Sequence, residues 1–214
     1  MKLPEGLSVE CHSGAALGPF IPDAARLRMA VFREWPYLYD GDDAYEQEYL
    51  RTYSRHPHSV FVVARAGDRV VGISTGTPLS AETPGIVSTF SEAGLDPGKL
   101  FYFGESVLLP EWRGRGIGVA FFREREQWAR SVPGIFGAVF CAVDRPAQHP
   151  ARPLDYVPLD EFWKKRGFLK TRLRTEFEWK ETGEPAPSPK SLTFWMKYWD
   201  GPVPLELSPS EAKN

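Results

Sequence analysis

The stretch from Glu105 to Gly118 constrains the chain more than any other. Glu105 to Leu109 is a short apolar run fit for a strand, and Pro110, which cannot donate to a ladder, ends it. Arg113 to Gly118 then packs three glycines and two arginines into six residues. Ile117, Ala120, Phe121 and Trp128 share a face at helical spacing, which predicts a helix over 117–131. A strand that stops at a glycine-rich turn and enters a helix forms an anion site. Backbone N–H groups are unpaired at the helix start, the macrodipole is positive there, and glycines let the backbone approach a phosphate. Arg113 and Arg115 could add charge-assisted hydrogen bonds to phosphate oxygens.

The details of this turn separate it from other phosphate loops. A Walker-type loop needs Lys-Ser or Lys-Thr after its last glycine, and neither follows here. A dinucleotide-binding turn wants glycine or alanine three places after Gly116, where Val119 stands, and it wants an early βαβ unit. A plain turn with no ligand would be entropically costly with so many glycines.

The 214 residues fit one domain over 1–200 with a flexible tail at 201–214. Hydrophobic residues make up 42% and charged residues 25%, ordinary for a globular protein with a core. A formal net charge of −2 does not favour non-specific nucleic-acid binding. Apolar runs are strand-sized, so no membrane span is expected, and the N-terminus lacks an apolar leader. Cys11 and Cys141 lie in apolar stretches and read as buried thiols in a reducing cytoplasm. The four histidines lack metal-ligand spacing, so no metal is expected. Periodicity and Gly/Pro punctuation predict strands at 7–12, 60–66, 70–77, 100–109, 135–143, 168–179 and 191–199. Helices are predicted at 22–35, 45–53, 117–131 and 159–166, with a short one near 85–93 inside a long connection. Glu126 and Arg130 read as an exposed pair on the third of these. The order β-α-α-β-β-β-α-β-α-β-β does not fit a regular doubly wound protein, because three strands run consecutively before the glycine turn.

Leu108-x-Pro110-x-x-Arg113-Gly114-x-Gly116-Ile117-Gly118 resembles the acyl-CoA loop of the GNAT superfamily of N-acetyltransferases. That loop reads Gln or Arg, two residues, Gly, one residue, then Gly or Ala, and Arg113 to Gly118 match it. The element order resembles the family along nearly the whole chain, and Phe162 to Phe168 resembles its final helix–strand junction. The resemblance implies an α/β (α+β) fold, a mixed, mostly antiparallel central sheet flanked by helices. It implies acetyl-CoA as acyl donor and direct transfer to a primary amine of a small molecule in a ternary complex. The amides of Arg115, Gly116, Ile117 and Gly118 would hold the pyrophosphate, beside Arg113 and Gly114. Leu108 would pair through its backbone with pantetheine, and the Ser106 amide would polarise the thioester carbonyl, its hydroxyl being incidental.

An amine attacks only when neutral. A lysine-like amine with a pKa of about 10.4 is about 0.1% neutral near physiological pH, a deficit of roughly 4 kcal/mol. A carboxylate or water relay is therefore valuable, and Glu105 is the first candidate because it adjoins the oxyanion amide. In the family, a tyrosine four residues before the glycine of the last junction often protonates the leaving thiolate. Trp163 stands there, and an indole N–H is no proton donor, so Tyr156, Tyr37, Tyr39 or water must serve. Tyr37, Tyr39, Asp40, Asp42, Asp43 and Glu46 crowd the loop between the first two helices, where the family builds its acceptor pocket. That composition would suit a cationic amine, and a solvated acidic loop fits it equally. Arg145, His149 and Arg152 could cover CoA phosphates or the acceptor from the proline-rich loop. A non-catalytic acyl-CoA-binding module is the alternative, as is transfer of a longer acyl group. Oligomeric state is not legible, since the aromatics of the late strands would serve an interface as well as a core.

Overall fold

The computed structural model describes residues 3–204 and Leu207. Its strands are β1 (Leu7–Ser13), β2 (Val60–Ala66), β3 (Arg69–Pro78), β4 (Leu100–Leu108), β5 (Gly137–Val143), β6 (Leu169–Trp179) and β7 (Ser188–Tyr198). Its α-helices are α1 (Ile21–Phe32), α2 (Asp43–Ser54), α3 (Pro84–Glu92), α4 (Ile117–Ser131) and α5 (Asp160–Lys164). The strands form one sheet in the order β1-β2-β3-β4-β5-β7-β6. Every pairing is antiparallel except β4 with β5. This is the mixed, mostly antiparallel sheet expected from the sequence.

Alternation along β2 explains the two layers. Val60, Val62 and Ala64 point to the face covered by α4, while Phe61 and Val63 point to α1 and α2. α3 covers the remaining part with Leu100, Tyr102, Val139 and Phe194. Val203 and Leu207 are buried in this third cluster, and 205–206 and 208–214 of the tail expected from 201 lie outside the described residues. Phe194 and Trp195 on β7 belong to the core, which accounts for part of the late aromatic run.

Several local expectations change for physical reasons. Cys11 is exposed because β1 is an edge strand whose outer side is only partly covered, and Cys141 is half-buried. Glu126 does not pair with Arg130. It accepts from Lys197 Nζ at 2.8 Å, and Arg130 stacks over Trp199 at 4.5 Å. β7 begins at Ser188, ahead of the expected 191, because Ser188, Pro189 and Lys190 find partners in Trp179, Glu178 and Phe177.

The feature that positions the site is a short ladder. β4 and β5 pair only from Leu100–Tyr102 to Gly137–Val139. Beyond it β4 stays with β3 and β5 with β7, so the two parallel strands part within the sheet. The closed end is pinned by Phe168, fully buried between Phe103, Phe122 and Phe140 at centroid distances of 5.9, 5.4 and 5.1 Å. Phe168→Ala is expected to cost roughly 3–5 kcal/mol, read from urea unfolding at unchanged m-value. A loss below about 1 kcal/mol would contradict this packing role.

Candidate active site

Leu109 donates its N–H to Val71 O at 3.1 Å. Alternate residues of an antiparallel strand direct their amides to opposite sides, so Ser106 and Leu108 direct theirs to the unpaired edge facing β5. A β-bulge interrupts the ladder, where Thr75 alone faces Gly104 and Glu105. It changes which faces the side chains take. Phe103 packs under α4, Glu105 turns to α1, and Ser106 turns back to α4. Gly104 is required in this turn, because a Cβ there would collide with Tyr53 Oη and with Thr75 Oγ1.

The unpaired edge borders a cleft of about 1180 Å³. The glycine turn forms one wall through Gly114, Gly116 and Gly118. Gly114 and Gly116 take φ of 74° and 85°, the left-handed region that favours glycine, and no side chain caps α4. The first N–H groups of α4 are thus left without side-chain partners, as the sequence suggests. Both arginines of the turn have partners within the protein. Arg113 forms an ion pair with Glu34 at 2.8 Å and donates to Leu108 O at 3.2 Å, while Arg115 stacks over Trp112 at 4.8 Å. Ile117 is buried in the core, so only its backbone can serve the turn. The Leu108 carbonyl is therefore occupied by Arg113, and its N–H remains directed to the open edge.

Glu105 is buried within a charged network. Its carboxylate accepts from Arg28 on one oxygen and from Thr75 Oγ1 on the other. Arg28 also holds the fully buried Glu46, which accepts from Tyr39 Oη at 2.6 Å. Burial would lower the Arg28 guanidinium, but Glu105, Tyr49 and Glu46 outweigh it and hold it firmly protonated. In the sequence Arg28 is legible only as an arginine on the helix stripe of Ala24, Val31 and Phe32, of which Ala24 is buried and the other two partly so. Arg125 likewise interrupts the stripe of Phe121, Phe122 and Ala129, and its Nη2 donates to Ser106 Oγ at 2.8 Å. The Ser106 hydroxyl thus has a buried structural partner in Arg125.

Of the acidic loop, only Tyr37 borders the cleft among the expected acceptor residues. Tyr39 is turned to Glu46, and burial followed by that bond pushes its phenol up. Asp42 caps α2 by accepting from Tyr45 N–H at 2.9 Å, and Asp40 pairs with Arg33 and Lys180 at 3.3 and 3.2 Å. These short carboxylates satisfy a helix end and neighbouring cations. The loop is tied to the end of β6, with Asp40 N–H on Lys180 O, Thr182 N–H on Leu38 O and Trp179 Nε1 on Tyr37 O. Arg145 is fixed in the same junction, donating to the carbonyls of Pro36 and Tyr37 and pairing with Glu181 at 2.6 Å. Tyr156 borders the cleft, edge-on to Trp35 at 5.9 Å, and burial pushes its phenol up against the opposing Arg152. His149 packs on the same Trp35 at 4.9 Å. Trp163 is wedged between Phe140 and Trp195, which explains a large ring at that position.

The profile of the Acetyltransferase (GNAT) family matches residues 26–168. No curated protein matches the sequence. The fold resembles a ribosomal-protein-alanine N-acetyltransferase from Brucella melitensis, with a TM-score of 0.58 at 14% identity over 89% of this chain and 99% of that one. It also resembles NAA60 from Arabidopsis thaliana in complex with acetyl-CoA, with a TM-score of 0.57 at 15% identity over 91% and 99%. The loading GNATL domain of CurA from Lyngbya majuscula gives 0.56 at 13% over 90% and 97%. At these identities the likeness speaks for the fold.

Glu82, in the connection after β3, was not anticipated. Its carboxylate accepts from Thr83 N–H at 3.2 Å. Burial first and the negative Glu105 second push its carboxyl from 4.5 up to about 7, against bonds from Thr83 and Tyr53. A raised folded-state pKa favours the protonated form, so the stability it contributes is complete below the unfolded value and lost as pH rises through the folded one. Thermal stability should therefore fall between about pH 4.5 and about pH 7, and Glu82→Gln should flatten that fall. Equal slopes for both proteins would contradict the shift.

Proposed function

We infer that this chain, which belongs to the GNAT family of acetyltransferases, binds acetyl-CoA along the open edge of β4 and transfers its acetyl group directly to a primary amine of a small molecule. The observation that carries this reading is the unpaired β4 edge running into an uncapped, glycine-led helix within one cleft. Pyrophosphate suits the amides at Arg115 to Gly118, where helix-start N–H groups and the positive dipole end meet an anion. Pantetheine adds to β4 as a strand would, its amides meeting the Leu108 backbone once Arg113 swings from Leu108 O.

The neutral amine nitrogen attacks the thioester carbon. Negative charge moves to the carbonyl oxygen at the Ser106 N–H, and the C–S bond breaks to release CoA as its thiolate while the nitrogen, positively charged after attack, gives up its extra proton to water. With Arg28 and Thr75 on its oxygens, Glu105 acts as a fixed negative charge that favours the arriving ammonium and draws its proton through water. Tyr156, kept protonated by burial, is the cleft phenol suited to return a proton to the thiolate. Ties between the acceptor loop and the end of β6 favour a small acceptor over a folded partner. Glu105 and Asp144 on the cleft wall favour a cationic one, replacing Asp40 and Asp42 in that role.

Acetyl-CoA should raise the melting temperature, and CoA release should be faster with polyamines or aminoglycosides than with acidic amines. Gly116→Asp puts a β-carbon at φ 85° and a negative charge at the helix start, so it should abolish the acetyl-CoA-dependent shift while the fold persists. An undiminished shift in Gly116→Asp would move the pyrophosphate site elsewhere. Glu105→Gln should lower kcat by about 10²-fold at saturating acetyl-CoA and acceptor. An unchanged rate would remove Glu105 from the mechanism.

A further inference from the structure

We infer that Arg125 is a positioning residue for acyl transfer, its buried guanidinium holding the β4 bulge and setting a positive charge behind the Ser106 amide. This rests on the reading that the thioester of acetyl-CoA meets β4 at Ser106. Arg125 is 1% exposed, in the middle of α4. Nη1 donates to the carbonyls of Thr75 and Glu105 at 3.3 and 3.4 Å, Nη2 to Ser106 Oγ at 2.8 Å, and Nε to Phe121 O at 3.3 Å. Thr75 and Glu105 are the residues on the two sides of the bulge. One planar fork therefore spans the irregularity that sends Glu105 to one face and the Ser106 amide to the open edge.

The charge itself requires an explanation. A buried cation normally has an acid partner, because desolvation is costly. Glu105 and Glu126, the acids whose charge reaches Arg125, form their ion pairs with Arg28 and Lys197 instead. Among the described residues Arg125 meets only carbonyls, a hydroxyl and the rings of Phe103 and Phe122, whose centroids lie at 4.4 and 5.0 Å. Burial pushes its guanidinium down, with Glu105 opposing. A methionine would fill the space without that cost. The group borders the cleft. A positive charge there does little for a neutral thioester and much for the oxyanion that forms beside the Ser106 N–H. It therefore lowers the barrier more than it tightens binding.

The test uses acetyl-CoA carrying ¹³C at the carbonyl, bound to the full chain, with the carbonyl stretch read by infrared difference spectroscopy. In the wild type the band should lie below its position in water. In Arg125→Met, acetyl-CoA should bind with unchanged affinity while the band returns toward its water position. Turnover of a polyamine acceptor should fall about 30-fold in kcat at constant KM for acetyl-CoA. Arg125→Lys, which keeps the charge without the fork, should recover part of the shift. Should Arg125→Met fail to fold, Arg125→Gln, which keeps donors without charge, carries the same comparison. A band that is shifted equally with and without the charge overturns the inference alone. Absence of acetyl-CoA binding to the wild type overturns the underlying reading, and the inference with it.

Discussion

The parting of β4 from β5 after three residue pairs is the constraint on which the rest of the site depends. A strand within a sheet normally satisfies both its edges, and an unpaired row of amides in the interior is costly. Here β7 takes the side of β5 that leads away, and the α4 crossover holds the two parallel strands together only at their start. The outcome is an edge inside the sheet, open toward a cleft and continuous with a helix N-terminus. A ligand that carries amides along its length and phosphates at its end satisfies both features at once, which is the chemistry of an acyl-CoA. With acetyl-CoA placed as proposed, the same opening keeps the reacting carbonyl next to the strand rather than at the protein surface.

A single extra residue at Gly104–Glu105 then sorts the charges. Arg28 and Arg125 approach β4 from opposite faces and are used in opposite ways. Arg28 bridges two carboxylates, Glu46 and Glu105, leaving the trio one negative charge, and so fixes α1 and α2 against the strand. Arg125 neutralises none, and braces the backbone of the bulge. Removing the bulge would turn the Glu105 side chain toward α4 and away from Arg28. The strand irregularity and the two arginines therefore form one interdependent arrangement, with Gly104 permitting Tyr53 and Thr75 to close over it.

Local signals carried the fold. Apolar periodicity and the Gly/Pro breaks marked α4 at Ile117–Ser131 and located all seven strands to within a few residues, because those patterns are written in neighbouring residues. The glycine turn was legible for the same reason, and resemblance to a known family supplied its ligand. What stayed hidden depends on distant pairings. Thr75 and Glu105 are thirty positions apart, and Arg28 and Glu105 are farther still, so nothing in either segment announces the contact. The composition of the acidic loop fitted a cation pocket and a solvated loop equally, and the partners its carboxylates take in the fold depend on residues as distant as Lys180. Asp42 stands directly before the helix and reads as an N-cap, a bland use that the spacing to Tyr45 already allowed. Arginines set within apolar helical stripes were the overlooked clue to Arg28 and Arg125.

Everything functional here reduces to one placement, acetyl-CoA laid as an extra strand on the open edge of β4. A crystal structure of the complex measures it directly. The pyrophosphate should lie on the amides of Arg115 to Gly118, pantetheine should hydrogen-bond the Leu108 backbone with Arg113 displaced, and the thioester oxygen should sit within hydrogen-bond reach of the Ser106 N–H. A coenzyme bound elsewhere, or one whose thioester leaves the Ser106 amide unpaired, would contradict it.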